Sequence, residues 1–92
     1  MAIFKITGEN ARVFNGEKFV RVIRSLYQYS PKEYNDMKHR MNKQFRCKDD
    51  DGVVYFWGVC SSYSFDPLDF GEQYGVTSIE YKNSATGAWE AL

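Results

Sequence analysis

The residues best suited to nucleophilic chemistry in this chain are Cys60 and its single histidine, His39. A catalytic cysteine needs a base and a thiol pKa lowered by a helix N-terminus or a nearby cation. Cys60 instead ends an apolar stretch, where a thiol behaves as a small hydrophobic group. His39 stands between two basic residues, which is typical of a solvated helix. We therefore predict that the protein is not an enzyme, unless Cys60, His39 and Asp66 converge in a pocket.

The acidic run from Asp49 to Asp51, followed by Gly52, carries oxygen ligands of the kind that calcium prefers. An EF-hand loop beginning at Asp49 requires an oxygen ligand at its fifth position and a glutamate at its twelfth. Those positions hold Val53 and Cys60. Aspartate and glycine are also common in tight turns. We interpret the run as the exposed tip of a hairpin, and we predict no metal and no cofactor.

Charge is unevenly distributed, although the formal net charge is zero. Residues 18–48 carry a net charge of +7, whereas residues 49–92 carry −7. A basic surface can bind a phosphate backbone through counterion release, and a solvated helical surface partly neutralised by the acidic half is the alternative. The basic residues that would form a nucleic-acid-binding surface are Arg21, Arg24, Lys38, Arg40, Lys43 and Arg46.

Residues 61–75, SSYSFDPLDFGEQYG, combine four aromatic rings with three carboxylates, one proline and two glycines. Neither the helical nor the strand period runs through this stretch, so we predict a long loop, which we call the acidic aromatic loop. Loops of this length in compact domains tend to be functional or packed. The rings either fold back as a plug over the sheet edge or stay outside as anchors for a partner, with the carboxylates as a charged rim.

Within this loop, the turn-forming sequence Asp66-Pro67-Leu68-Asp69 would hold the neighbouring apolar side chains in fixed positions. A rigid aromatic tip loses little entropy on binding. The predicted protein-binding residues are Tyr63, Phe65, Asp66, Leu68, Asp69, Phe70 and Glu72.

Two helices are predicted in the first half of the chain. Residues 18–29 place their apolar side chains within one half of a helical wheel, and Asn15 can cap the start. Ser30 and Pro31 then mark the start of a second helix that runs to about Asn42, with Glu33 able to complete a capping box.

Strands are predicted on both sides of these helices. Residues 2–7 alternate apolar and polar side chains, and Gly8 ends the run. Residues 44–60, QFRCKDDDGVVYFWGVC, are predicted to form a β-hairpin of two strands, with Asp51 and Gly52 in its tight turn. Its second strand, 53–60, is apolar on both faces and therefore suits the interior of a sheet. Residues 76–82, a turn at 83–87 and a last strand containing Trp89 complete the set.

This order, β-α-α-β-β-β-β, predicts an α+β fold with two helices packed on one face of a small, mainly antiparallel sheet. The 92 residues suit one domain, 1–92. Cys47 and Cys60 would lie on partner strands but far from opposite each other, so free thiols are expected. With no apolar run long enough to span a membrane and no export signal, we expect a cytoplasmic protein without a membrane partner.

The sequence favours a small non-enzymatic module that binds another protein through the acidic aromatic loop and the neighbouring sheet edge. Small domains without a recognisable active site are often accessory or inhibitory proteins of phages and mobile elements. Carboxylates beside aromatic rings could also mimic phosphate in a partner's nucleic-acid-binding groove. The alternative function is nucleic-acid binding through residues 18–48.

Overall fold

The computed structural model describes residues 3–13, 32, 35, 36 and 38–92. They form an antiparallel sheet whose strands are β1 (Phe4–Glu9), β2 (Lys43–Lys48), β3 (Val54–Cys60), β4 (Ser78–Lys82) and β5 (Trp89–Ala91). The strands lie in the spatial order β1-β3-β2-β4-β5. Between β3 and β4, helix α1 spans Asp66–Gly71 and continues into a 3-10 turn at Glu72–Tyr74.

The predicted fold class of two helices packed on one face of the sheet is wrong. The described residues form a mainly antiparallel sheet of five strands with a single continuous helical segment, residues 66–74. That segment falls in the stretch that the sequence pattern assigns to a loop. The first predicted helix, 18–29, lies outside the described residues, as do residues 30, 31, 33, 34 and 37 of the second.

The second predicted helix does not extend to Asn42. Residues 38–40 form a turn, in which the Met41 N–H donates to the Lys38 carbonyl at 3.2 Å, and β2 begins at Lys43. Met41 is buried. An apolar residue at position 41 fits the helical spacing, but Met41 is buried just before β2 and not on a helix. The helical pattern therefore predicts a helix that ends too late. Lys32, Asn35 and Asp36 have helical backbone and are exposed.

The predicted hairpin around Asp51 and Gly52 is confirmed. Gly52 has a φ of 81°, which favours glycine. The Asp49 carboxylate accepts hydrogen bonds from the backbone N–H groups of Asp51 and Val53, both at 2.9 Å. The Asp49 side chain therefore stabilises the turn by binding its backbone, which is a structural role for the first residue of the acidic run.

The core lies on one side of the sheet, which we call the inner face. It consists of the buried residues Phe4, Ile6, Phe45, Cys47, Phe56, Cys60, Phe70, Val76, Ile79 and Tyr81. Two irregularities modify the register. β1 shifts relative to β3 between Ile6 and Gly8, and β2 shifts relative to β3 between Cys47 and Lys48. Each behaves as a bulge that locally bends and twists its strand.

Helix α1 covers this inner face and packs on β2 and β4. The Phe70 ring lies 6.2 Å from the Phe4 ring and 6.5 Å from the Phe56 ring, measured between centroids. Gly71 brings the helix backbone directly onto the sheet, because a Cβ there would lie 2.6 Å from both Phe56 Cζ and Val76 Cγ2.

The signals for α1 are local and brief. Proline stands in its first turn together with two acidic residues, Asp66 and Asp69, which suits the positive end of a helix. Gly75, at a φ of 107°, ends the helical segment in the left-handed conformation typical of helix C-termini. Among the described residues, no helix is long and apolar enough to cross a membrane.

Cys47 and Cys60 are both free and fully buried. Cys47 lies opposite Phe56 and Cys60 opposite Lys43, which confirms that they are out of register for a disulfide. Burial raises the pKa of the Cys47 thiol from its ordinary value of 9.0 to about 12. A thiol is mostly neutral at physiological pH, and burial extends this neutral range of Cys47 into alkaline solution.

We expect Gly71→Ala to lower the free energy of unfolding by about 1–3 kcal/mol, since the added methyl group overpacks the contact between α1 and β3. Urea denaturation measures this change. Glu72→Ala, at the next and exposed position, is the matched control and should change stability by no more than about 0.5 kcal/mol. Equal stability of the two variants would contradict the close contact.

The fold should become less stable in alkaline solution as the Cys47 thiol ionises. Its pKa is higher in the folded than in the unfolded state, so its contribution is complete below pH 9 and is lost as the pH rises towards about 12. The contribution of this group should fall by up to about 1.4 kcal/mol per pH unit. Urea denaturation at several pH values measures it.

Cys47→Ala is the control for this alkaline loss. It should be less stable than the wild type at neutral pH, because it leaves a cavity, but its stability should fall less steeply above pH 9. Parallel pH profiles for the two proteins would show that Cys47 is not the source of the loss.

Candidate functional site

The segment between β3 and α1 is fixed to the sheet at both of its ends. At its start, the Ser61 N–H donates to the Ile3 carbonyl at 2.9 Å, and the Ile3 N–H donates to Ser61 Oγ at 3.0 Å. At its end, the Ser64 carbonyl accepts from the Tyr81 hydroxyl at 2.7 Å, and the same hydroxyl accepts from the Ser64 N–H at 3.1 Å. Residues 61–64 are therefore an ordered connection, and Ser64 is its anchor.

Tyr81 can make this double contact because it is buried and neutral. A phenol is protonated at neutral pH, so the Tyr81 hydroxyl can donate its proton to the Ser64 carbonyl. Burial raises the pKa of this phenol further above its ordinary value. Its ring also packs against the Phe45 ring in the core, with the centroids 6.1 Å apart. Through Tyr81, the position of Ser64 is determined by the packing of the sheet.

The structure divides the seven predicted protein-binding residues into two groups. Phe70 is buried in the core, and Leu68 packs against it. The exposed members are Tyr63, Phe65, Asp69 and Glu72, while Asp66 is half-buried. Phe70 thus folds back onto the sheet as a plug, whereas Tyr63 and Phe65 stay outside, as anchors for a partner would. We call Tyr63 and Phe65, together with the carboxylates of Asp69 and Glu72, the aromatic patch.

The Tyr63 ring is held on two sides. It meets the Tyr81 ring edge to face at a centroid distance of 5.2 Å. The Lys43 ammonium group lies 5.4 Å from the Tyr63 ring centroid, within the range of a cation–π contact. Tyr63 nevertheless remains 56% exposed, and Phe65, on the other side of Ser64, is 51% exposed. Both rings therefore present apolar surface to solvent, and the Tyr63 ring is also held in position by its contacts.

The predicted basic surface is not assembled on one side of the described structure. Arg21 and Arg24 lie outside the described residues, and Lys38 and Arg40 are exposed in the turn before β2. Lys43 and Arg46 are three residues apart on β2, so their side chains point to opposite faces of the sheet. A flat ligand cannot contact both of these strand residues together.

The three residues that could support nucleophilic chemistry occupy different environments. Cys60 is fully buried in the core, His39 is exposed in a turn, and Asp66 begins α1. Two surface depressions that the described residues form lie on the other side of the sheet, and none of these three residues lines either of them.

That other side, which we call the open face, is a surface that the sequence analysis does not identify. By strand register it carries Lys5, Gln44, Arg46, Lys48, Val54, Trp57, Val59, Glu80, Lys82 and Trp89. Trp57 is 42% exposed and Trp89 is half-buried. The apolar run of β3 predicts a strand buried on both faces, whereas its bulky Trp57 faces solvent.

Arg46 on the open face contacts both a carboxylate and an aromatic ring. Its Nε donates to Glu80 Oε1 at 2.7 Å, and its guanidinium carbon lies 4.4 Å from the centroid of the Trp89 ring. Lys48 Nζ lies 3.1 Å from the other Glu80 oxygen. Burial raises the pKa of the Glu80 carboxyl, but the hydrogen bonds and charges of Arg46 and Lys48 outweigh it, so the pKa is lowered overall.

Two shallow depressions flank this arrangement. One, of about 220 Å³, is lined by residues that include Thr7, Gln44 and Val59, and the other, of about 360 Å³, includes Arg46 and Val54. Trp57 and Trp89 line both depressions. The described structure thus has two candidate surfaces, the aromatic patch and the open face.

Replacing Tyr81 by Phe tests the anchor of the aromatic patch. Tyr81→Phe keeps the ring but leaves both backbone groups of Ser64 without their partner, so we expect a loss of about 1–3 kcal/mol in the free energy of unfolding. The Ser64 amide should also exchange its hydrogen faster. Tyr63→Phe, which removes an exposed hydroxyl, should change neither quantity, and similar behaviour of the two variants would contradict the anchoring role.

No protein-family model matches the chain, and no curated protein or solved structure is significantly similar to it. The geometry of the two candidate surfaces is therefore what indicates the function.

Proposed function

We propose that this protein is a small, non-enzymatic module that binds another protein through the aromatic patch. The observation that supports it is the positioning of Tyr63 and Phe65, which are each more than half exposed while the residue between them, Ser64, is bonded twice to the buried Tyr81 hydroxyl. Large exposed apolar side chains are unremarkable singly, but two held by one anchor form a specific contact surface.

The energetics of binding favour such an arrangement. Aromatic residues are enriched among the few interface residues that supply most of the binding free energy. A ring that is already ordered loses less conformational entropy when a partner covers it. Tyr63 is restrained by Tyr81 and Lys43, so much of this ordering is present in the free protein.

The charges around the rings indicate the kind of partner. Asp69 and Glu72 are exposed on the helical segment that follows Phe65. A partner with a basic rim around an apolar pocket would complement them, and complementary charge raises both specificity and the association rate. A basic groove that normally accommodates nucleic acid fits this description, with the two carboxylates in the place of phosphates.

Affinity capture from host lysate, with and without nuclease treatment, tests the proposal. We expect a protein partner that survives nuclease and that is lost when Tyr63 and Phe65 are both replaced by Ala. Each substitution should weaken binding about 30-fold if the residue is a hot spot, measured with the purified partner.

Trp57→Ala is the matched control, because it removes an exposed aromatic residue on the opposite face of the sheet. It should leave partner binding unchanged. A partner whose affinity is the same for the wild type and the folded Tyr63, Phe65 double variant would overturn the proposal, as would a capture that disappears entirely with nuclease.

A further inference from the structure

The open face concentrates aromatic side chains on one side of the sheet. Both tryptophans of the chain, Trp57 and Trp89, lie on it. The Trp57 indole lies directly over Gly8, where a Cβ would overlap the ring. β1 thus supports one side of this indole while 42% of the residue remains exposed. The ring is positioned in a way that suits stacking against a planar ligand.

Positive charge surrounds these rings. By register, the charged residues of the open face are Lys5, Arg46, Lys48 and Lys82, against the single carboxylate of Glu80. The face is therefore basic although the whole chain has a net charge of zero. Asp69 and Glu72 lie on the helical segment that covers the inner face. The acidic and basic residues therefore lie on opposite sides of the sheet, and the open face is complementary in charge to a polyanion.

Arg46 provides a prepositioned donor between the rings and the lysines. Glu80 binds its Nε, and Trp89 stacks on its guanidinium plane. Among the described residues, its two terminal amino groups have no hydrogen-bond partner. A guanidinium that is already oriented can donate both groups to a phosphate or to the edge of a base without further ordering.

The shape of the surface indicates the size of the ligand. The larger depression, about 360 Å³, is at the lower end of the volume range of small-molecule pockets, and it is open on one side. Trp57 and Trp89 line both depressions. Such a shallow site with aromatic walls suits a single planar ring on an extended chain.

We propose that the open face binds single-stranded nucleic acid, with bases stacked on Trp57 and Trp89 and phosphates bound by Arg46, Lys48 and Lys82. Aromatic side chains on a sheet with cations around them are how many proteins bind unpaired bases. A duplex cannot stack its bases on these rings. A protein partner fits less well, because interface cores are depleted in lysine. Among the described residues of the predicted basic surface, Arg46 lies on the open face, whereas Lys43 points to the opposite face.

Intrinsic fluorescence tests the proposal with the unaltered protein, since both tryptophans report from this face. We expect quenching on titration with a single-stranded oligothymidylate of about 12 nucleotides at low salt. An abasic oligonucleotide of the same length and charge should bind clearly more weakly, and a duplex should cause little quenching. The affinity for oligothymidylate should fall as salt rises. Absence of quenching, or equal affinity for the abasic strand, would overturn the proposal.

Substitutions on the open face provide a second test by fluorescence anisotropy of a labelled oligothymidylate. Trp57→Ala should bind about 5- to 100-fold more weakly, whereas Trp57→Phe should retain most of the affinity. Lys82→Ala should reduce the salt dependence by about 0.7 in log–log slope. Phe65→Ala, on the aromatic patch, is the matched control and should bind like the wild type.

A cooperative thermal unfolding transition shows that a variant is folded. If Trp57→Ala is not folded, the affinity of Trp57→Phe is compared with that of the wild type instead. Unchanged affinity in a folded Trp57→Ala variant would overturn the proposal. So would a dimer that is detected by sedimentation, is lost in the Trp57 variants and does not bind the oligonucleotide, because the open face would then be an interface between two copies of the chain.

Discussion

The double hydrogen bond between the Tyr81 hydroxyl and the backbone of Ser64 is the contact on which the rest of the inner side depends. It joins the fourth strand to the segment that leads into α1, seventeen residues earlier in the chain. Without it, the start of α1 would depend on the covalent chain and on the packing of its buried residues, Pro67, Phe70 and Gly71. Because the hydroxyl is buried, water cannot readily replace either bond, and the connection remains ordered.

This anchor explains why one short segment both closes the core and presents rings to solvent. Pro67, Phe70 and Gly71 face the sheet and are buried, whereas Phe65 and Asp69 lie on the outer side. The open face, on the opposite side of the sheet, is ordered in a different way. No described element packs across it, and its order comes from side chains that support one another, with Arg46 between Glu80 and Trp89. The two surfaces are therefore independent of each other, separated by the thickness of the sheet.

The sequence predicts the parts of this fold that depend on local chemistry. Asp51 and Gly52 define the hairpin, and alternation locates the strands to within a few residues. The sequence does not reveal α1, because six residues are too few for helical periodicity to emerge, although Pro67 and Gly75 mark the two ends of the helical segment 66–74. The fold class is wrong for the same reason, since the helical segment on the sheet comes from the supposed loop.

Local sequence patterns are also insufficient to predict the candidate sites. The exposure of Tyr63 and Phe65 and the burial of Phe70 are decided by Tyr81 and by the contact of Gly71 with the sheet, which no pattern within residues 61–75 contains. The open face is harder still to predict. Arg46 and Trp89 are far apart in the chain, and only the order of the strands brings them together. An apolar strand such as β3 does not show by itself which of its faces remains uncovered.

The outer strands have a consequence for how any partner can attach. β1 is interrupted by the irregularity between Ile6 and Gly8, and β5 is only three residues long. Neither of these described edges offers a long, straight row of backbone donors and acceptors, so an extended peptide cannot readily join the sheet as a sixth strand. The same geometry protects the chain against edge-to-edge aggregation, and recognition is left to side chains on the two faces.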